Sequence, residues 1–485
     1  MKLRILVGLG LMLLATLFLV DIAAPAALDE DKEAAFRWLD ANAEGIRQVS
    51  LNLWNSPELA LHEYKSSREL IAYLESNSFR VEKGVAGMPT AFIATYGNGK
   101  PVIAMYGEYD ALAGLSQKAE ASLSPLIEGA AGHGCGHNLT SAGAVAAAVA
   151  VSKWMEMNKI KGTLRFYGAP AEESIGGKAY MLEAGLFEEV DVLLAWHPLD
   201  VTTAGFQYSK AAASVRFKFT GVAAHASIAP QLGRSALKGV ELTDVGVSFM
   251  REHLKEDARI HSVITNGGGQ PNVVPAVAES WYYIRANKHE DVVAMFEWVL
   301  EIARGAAMMT RTQVESTVDA DYYEVLPNRP LAELMDRNMR LVGPPKFTEE
   351  EKVAAKKMQE PLKKEIEVPF SETIEPLPET PGQGLFSTDV GNVSWIVPHQ
   401  QILVATYPYG VSIHSWQVTA CSGMSIGQRA MMVAAKTLSA TAIDLFKNPS
   451  IVEAAKKDFE ERKKGHSFRL LTPPKRKPPI VAEPK

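Results

Sequence analysis

The heptapeptide GHGCGHN, residues 132–138, decides how the rest of this 485-residue chain is read. It sets Cys135 and His137 one residue apart in a glycine-rich turn, directly before an alanine-rich run that reads as a buried helix. A thiolate and an imidazole at i and i+2 do not share a helix face. On a turn they converge on one point, and the flanking glycines let the backbone fold tightly enough. Sulfur with imidazole nitrogen favours zinc or a similar divalent transition metal. Alone, the motif reads more readily as a buried cysteine acting as a small hydrophobe.

Three apolar runs change that balance. PVIAMYGEYD, residues 101–110, is a buried-type strand ending in Glu108 and Asp110. TLRFYGAPAEES, residues 163–174, starts as a strand, breaks at Pro170 and presents Glu172 and Glu173. VDVLLAWHP, residues 190–198, is a continuous apolar strand ending in His197, with Pro198 stopping further pairing. In open α/β sheets the ligand crevice lies outside the carboxyl ends of the strands. Scattered structural His and Glu residues have no reason to choose that end every time, so the turn reads as part of a metal site.

Composition narrows the class. Hydrophobic residues make up 47% and charged residues 22%, as in an ordinary globular protein, and the net charge of −6 gives no sign of a nucleic-acid partner. Residues 1–26 form a separate unit. Lys2 and Arg4 precede an apolar run, and Ala24 and Ala26 stand as in an A-x-A cleavage site. The expectation is a cleavable signal peptide and a secreted or periplasmic chain with no stable membrane span; an uncleaved anchor is the lesser reading. In an oxidising compartment Cys135 and Cys421 could pair, but the metal reading requires both to stay free.

Rhythm along the chain predicts the organisation. Residues 28–203 open with two helices broken near Pro57, then alternate strand and helix, which signals an α/β catalytic domain with a mainly parallel sheet. Residues 204–326 read as strand, helix, strand, helix, strand, a small α+β module of ferredoxin-like type. The α/β pattern resumes over 327–446, so the module is inserted. Residues 346–384 read as a charged, Pro-rich surface excursion, and 447–485 as a C-terminal tail whose end, PPKRKPPIVAEPK, is solvated.

The motifs GHGCGHN, APAEES, AWHP, GVAAHASIAP, the spacing from Asn272 in QPNVVPA to Arg285 in YYIRA, GLFSTDVGNVSW and IHSW occur in this order. The set resembles the amidohydrolase branch of the aminoacylase and carboxypeptidase metallopeptidases. Within it, Asn after CGH and the STDVG segment are most similar to the B-subunit type of aminobenzoyl-glutamate hydrolase. The likeness spans almost the whole chain after residue 26.

The resemblance implies a metallopeptidase catalytic domain interrupted by a lid or dimerisation domain. It makes Cys135, His137, Glu173, His197 and His414 ligands to one or two divalent ions, zinc or manganese, and Glu172 the general base. His225, Asn272 and Arg285 fall where the family's insert contacts substrate, with His225 as the oxyanion donor of a partner subunit. Asp110 orients a ligand or the substrate site, since ligating imidazoles usually donate their second N–H to a carboxylate or carbonyl. His133 has no ligand role; it supports a ligand from behind or is structural. Two departures touch metal geometry and substrate choice: Asn138 replaces an Asp, and GEYDAL leaves Glu108 and Asp110 where an Asp-x-Asp is expected. The implied substrate is a carboxylate-bearing amide, and the implied assembly is a homodimer or a pairing with a related second subunit. The reading of different class is a catalytically silent binding protein for acylated amino acids or peptides, which loss of the base or of several ligands would favour.

Overall fold

The computed structural model describes residues 29–479. The segment read as a signal peptide lies outside the described residues. Helices Glu30–Ala41, Ala43–Trp54 and Tyr64–Ser76 come first. Sequence reading expects two here, because a single residue, Asn42 at φ −106° and ψ 9°, separates the first pair and leaves the apolar spacing almost undisturbed.

The strands, in chain order, are β1 (Arg80–Lys83), β2 (Phe92–Asn98), β3 (Val102–Glu108), β4 (Gly162–Ala169), β5 (Val192–Leu199), β6 (Gln207–Tyr208), β7 (Ala211–Thr220), β8 (Arg259–Asn266), β9 (Val277–Ala286), β10 (Gln313–Tyr322), β11 (Gly382–Gln383) and β12 (His399–Ala405). A six-stranded sheet has the order β1-β2-β4-β3-β5-β12. Its β4, β3, β5 and β12 run parallel, and β2 opposes both neighbours. Along β3, Ile103 and Met105 enter one core with Phe92, Phe166 and Leu194, while Ala104 and Tyr106 enter another with Tyr167 and Leu193. Both faces are covered, which is why these strands read as unbroken apolar runs. Helices His137–Asn158 and Ser425–Lys447 pack on one face; Gly177–Glu183 and Val390–Ser394 pack on the other.

The alanine-rich run is the helix His137–Asn158, with Ala144, Ala146, Ala147, Ala148 and Ala150 all buried. Small side chains let it sit close to the sheet. A Cβ on Gly107 would lie 2.6 Å from Ser141 Oγ, so only glycine fits there, and that hydroxyl donates to the carbonyl of Glu108. The helix therefore fixes the carboxyl end of β3.

Between the two halves of this domain lies a four-stranded antiparallel sheet of order β10-β7-β9-β8. Helices Ala236–Met250 and His289–Thr310 pack on one face through Val240, Val247, Val292 and Val299. The βαββαβ succession is the ferredoxin-like form. Sequence reading missed β8, an edge strand in which Ile260 alone is buried, so no alternation marks it.

Two other expectations are corrected. Pro198 does not stop β5, which continues to Leu199 paired with β12. On the other side β3 pairs with β5 only at Val192–Leu194, so the missing proline N–H breaks no ladder bond. The segment 447–485, read as a tail, carries a packed helix ahead of an end that is largely exposed over its described residues 473–479. Helix Pro449–Lys463 buries Val452, Ala455 and Phe459, and beyond it the Leu471 N–H donates to Asp321 while Arg476 lies 3.4 Å from Glu183. The 346–384 excursion likewise contains a helix, Glu349–Gln359, started by a Thr348/Glu351 capping box and burying Ala355 and Met358. Among the described residues no helix is long and apolar enough to cross a membrane.

Candidate metal centre

The parallel strands β3, β4, β5 and β12 aim their carboxyl ends at one place. Gly136, at φ +78°, separates Cys135 from His137, the first residue of its helix. A Cβ there would meet the Pro198 ring at 2.9 Å, so the turn seats directly against the end of β5. That brings Cys135 Sγ to 3.4 Å from His197 Nε2. After β4 the chain turns at Ala171, φ +61°, a conformation that costs a non-glycine residue about 1–2 kcal/mol. Two buried carboxylates hold the turn: Glu63 accepts from the Ala171 N–H at 2.9 Å, and Asp110 from the Glu173 N–H at 2.9 Å. His414, also at positive φ, is tied by its N–H to the carbonyl of Gly134 at 3.0 Å and lies 3.4 Å from Glu173 Oε2.

Three sets of donor atoms result, each with all members within 4.8 Å: Cys135, His137 and His197; Cys135, Glu173 and His414; His137, Glu172 and Glu173. Cys135 belongs to two of them, as a ligand shared between neighbouring cations would. Both cysteines are unpaired, and Cys421 is buried beside Met358.

The imidazoles are oriented as ligands. His137 Nδ1 donates to Asp110 at 2.9 Å, which turns Nε2 into the cluster; His197 Nδ1 donates to the Pro198 carbonyl at 2.8 Å, leaving Nε2 toward the thiol. Against its burial, Cys135 and Asp110 hold His137 well above the ordinary imidazole value, so a cation bound at Nε2 would displace a proton. Burial pushes His197 down to about 4, so it is neutral at physiological pH. His137 Nε2 and Glu173 Oε1 are buried without hydrogen-bond partners, which is costly unless a cation satisfies them. Burial, with Asp110 near, pushes Glu173 up to about 7 against the pull of His137, and burial with Glu173 drives the Cys135 thiol well above its ordinary value. Burial, then Glu108 and Asp389, likewise raises Glu172 well above the carboxylate range. Like charges 4.8 Å apart repel by about 3 kcal/mol at an effective dielectric of ~20, and a divalent cation reverses that sign. The donor set fits a thiophilic, imidazole-binding divalent metal.

A cavity of about 730 Å³ opens over this cluster. Cys135, Glu172, Glu173, His197 and His414 line it together with Tyr283 and Arg285 of the inserted sheet. Arg285 donates to Ser387 Oγ at 3.2 Å and lies 4.9 Å over the Tyr283 ring. His225 and Asn272 are not brought here. They sit side by side on an exposed edge of the insert, where the Ala226 N–H donates to the Asn272 carbonyl at 2.9 Å. His225 Nδ1 accepts from Ser227 and Ile228 at 3.2 and 3.1 Å, so the proton resides on Nε2, which is free to donate.

Two further residues belong to the centre. Lys178 is buried and donates to Glu108 at 2.5 Å and Asp389 at 2.6 Å. Burial opposes ionisation of Glu108, but Lys178, with His137 and His197, outweighs it and holds the carboxyl at about 2. Asn138 is explained as well: its amide donates to Ser50 and to the Ser422 carbonyl, which an Asp cannot do. His133 is buried 3.2 Å from the Leu53 carbonyl, a packing role.

Residues 104–360 match the model of peptidase family M20/M25/M40. The chain is 39% identical over 458 residues to the B-type subunit of the p-aminobenzoyl-glutamate hydrolase of Escherichia coli, covering 88% of this chain and 95% of that protein. It is 30% identical to the Xaa-Arg dipeptidase of Mus musculus, covering 90% and 94%. A Bacillus subtilis protein described as a dinuclear metal binding peptidase of the M20 family shares the fold at a TM-score of 0.56 and 17% identity, over 84% of this chain and 99% of that one. The residues expected as base and as ligands are all present in one cluster, so no loss favours the silent-binder reading. The chain belongs to peptidase family M20/M25/M40 and is a metal-dependent hydrolase of amide bonds.

Proposed function

We propose that the substrate is an acyl or aroyl group joined through an amide to an amino acid with a free carboxylate. p-Aminobenzoyl-glutamate-like conjugates come first and small dipeptides second, in line with the names of the two relatives. The observation that carries this is Arg285, a planar cation lining the same cavity as the metal-type donors. Asn272 would add a neutral hydrogen bond when its loop reaches the substrate.

Cys135, His137, Glu173, His197 and His414 would hold one or two divalent ions, zinc or manganese. When bound, such ions supply Lewis-acid polarisation of the carbonyl and acidify water. Glu172, next to a ligand in the chain but free of that duty, takes a proton from the attacking water and delivers it to the leaving nitrogen. Asp110 keeps His137 in the tautomer that presents Nε2. His225 donates from Nε2 to the developing oxyanion, across a dimer formed through the insert. Pairing with a related second subunit is the alternative, supported by the E. coli relative being one of two subunit types of its hydrolase. No nucleophilic serine is used, so no acyl-enzyme accumulates. Residues 1–26 would export the chain to the periplasm.

The test pairs metal analysis with a substrate panel. Active protein should contain zinc, manganese or a similar ion, and should cleave free-acid conjugates well ahead of their amide-capped analogues. Equal turnover of capped and free substrates would remove the carboxylate anchor; active protein without a divalent ion would remove the metal.

A further inference from the structure

A fourth group of carboxylates in the centre differs from the other donor sets. Glu108, Glu172 and Asp389 place oxygens within 4.8 Å of one another, a spacing at which acidic groups hold a cation, yet no Cys or His belongs to the group. A cation is already there. The Lys178 ammonium, on a side chain 1% exposed, donates to Glu108 Oε1 and Asp389 Oδ1, and lies 4.8 Å from the centre of the Tyr106 ring. The backbone secures it too, since the Lys178 N–H donates to Asp389 Oδ2 at 2.8 Å. Glu108, in turn, puts its other oxygen 3.4 Å from His137 Nε2. The ammonium and the metal-type donors are thus adjacent compartments of one anionic centre.

We propose that Lys178 is a resident cation that fills a third cation position, formed by Glu108, Glu172 and Asp389, and thereby confines divalent ions to the positions built on Cys135, His137, Glu173, His197 and His414. The inference rests on the metal reading above. Physically, an ammonium is a compact point charge that satisfies carboxylates through single hydrogen bonds, and it brings no open coordination position. A divalent ion there would draw Glu172 into ligation. With Lys178 in place, two of the three carboxylates are engaged and Glu172 keeps its oxygens for proton transfer. Lys178 also clamps Asp389, which follows the Gly384–Thr388 stretch of the cavity wall where Ser387 meets Arg285. It is a positioning residue and touches no substrate.

Metal counting by mass spectrometry on the full chain, loaded in turn with zinc and manganese, separates the possibilities. Lys178→Ala is expected to bind one divalent ion more per chain than wild type. Lys178→Ala with Asp389→Asn is expected to return to the wild-type number, and Lys178→Arg never to exceed it. A folded Lys178→Ala chain with the wild-type count overturns the assignment. If wild type itself binds no divalent ion, it is the metal reading that falls. Should Lys178→Ala fold only when a divalent ion is supplied, the assignment stands. Should it fail to fold with or without the ion while Lys178→Met with Asp389→Asn folds, the ammonium serves packing alone and the assignment falls.

Discussion

The carboxyl edge of the six-stranded sheet and the exposed edge of the insert both carry histidines of expected function, but they are built differently. At the sheet edge each functional side chain leaves a strand end or a turn pinned by buried carboxylates, and they converge within one chain. At the insert edge His225 is held by two backbone N–H groups, yet it is not among the residues that line the cavity over the metal-type donors. Convergence at the first place comes from the sheet; at the second, the role proposed for His225 requires assembly or closure. The contrast teaches that local preorganisation and completeness are separate properties of a site.

The sharpest blow to the sheet edge is Glu172→Gln. Turnover is expected to fall by ~10²–10⁴-fold, the usual worth of positioned proton transfer. Metal content should not change, because the proposal gives ligation to Glu173 and not to Glu172. Near-normal turnover, or loss of metal along with activity, would undo the separation of base from ligand.

The insert edge is probed by mixing. His225→Ala alone is expected to be nearly inactive, but mixed with Glu172→Gln it should recover activity in about a quarter of the sites, because a mixed two-fold dimer contains one intact composite site. Failure to recover, with subunit exchange confirmed by mass spectrometry, would place His225 in its own chain's site after domain closure. Arg285→Ala is a smaller change. A charge-assisted hydrogen bond to a carboxylate contributes about 1.5–3 kcal/mol, so KM for free-acid substrates should rise roughly 10- to 100-fold, with capped analogues little affected. A uniform fall in kcat instead would make Arg285 a prop for Ser387 and the cavity wall.

How legible these regions were in the sequence follows from the same contrast. Strand-end donors announce themselves because an apolar run stopping at His or Glu is unusual, and GHGCGHN marks its own turn. The supports beneath do not. Lys178 lies in GGKAYM, where a lysine reads as solvated by default, and only the fold brings it to Glu108 and Asp389, 70 and 211 positions away. Glu63, in LALHEYKSS, reads as an exposed charge before a helix, yet it is fully buried. Strand β8 escaped because an edge strand with one buried side chain has no period to see, and the helix Pro449–Lys463 because its apolar stripe is thin among charges.

Glu63 offers the gentlest test, one of support without chemistry. Burial, then the neighbouring charge of Asp110, raises its carboxyl from 4.5 to about 8, while Ala171 and Thr90 donate to its oxygens. The folded chain therefore keeps a proton that the unfolded chain gives up above about 4.5. Since the folded state binds more protons between these values, stability falls as pH rises from about 4.5 to about 8, and stays lower above that. Glu63→Gln carries a neutral amide of the same shape, with an oxygen for the Ala171 N–H and an N–H₂ for the Thr90 hydroxyl. Thermal unfolding is expected to give similar midpoints for the two proteins near pH 4.5 and a higher midpoint for the variant near pH 9. The turn carrying Glu172 and Glu173 should survive, so turnover at neutral pH should stay within a few-fold of wild type. A variant midpoint that falls with pH in parallel with wild type would show that Glu63 is ionised in the fold. The Ala171 turn would then be held by a charged acceptor, and the sheet edge would owe its order to electrostatics more than to a neutral hydrogen bond.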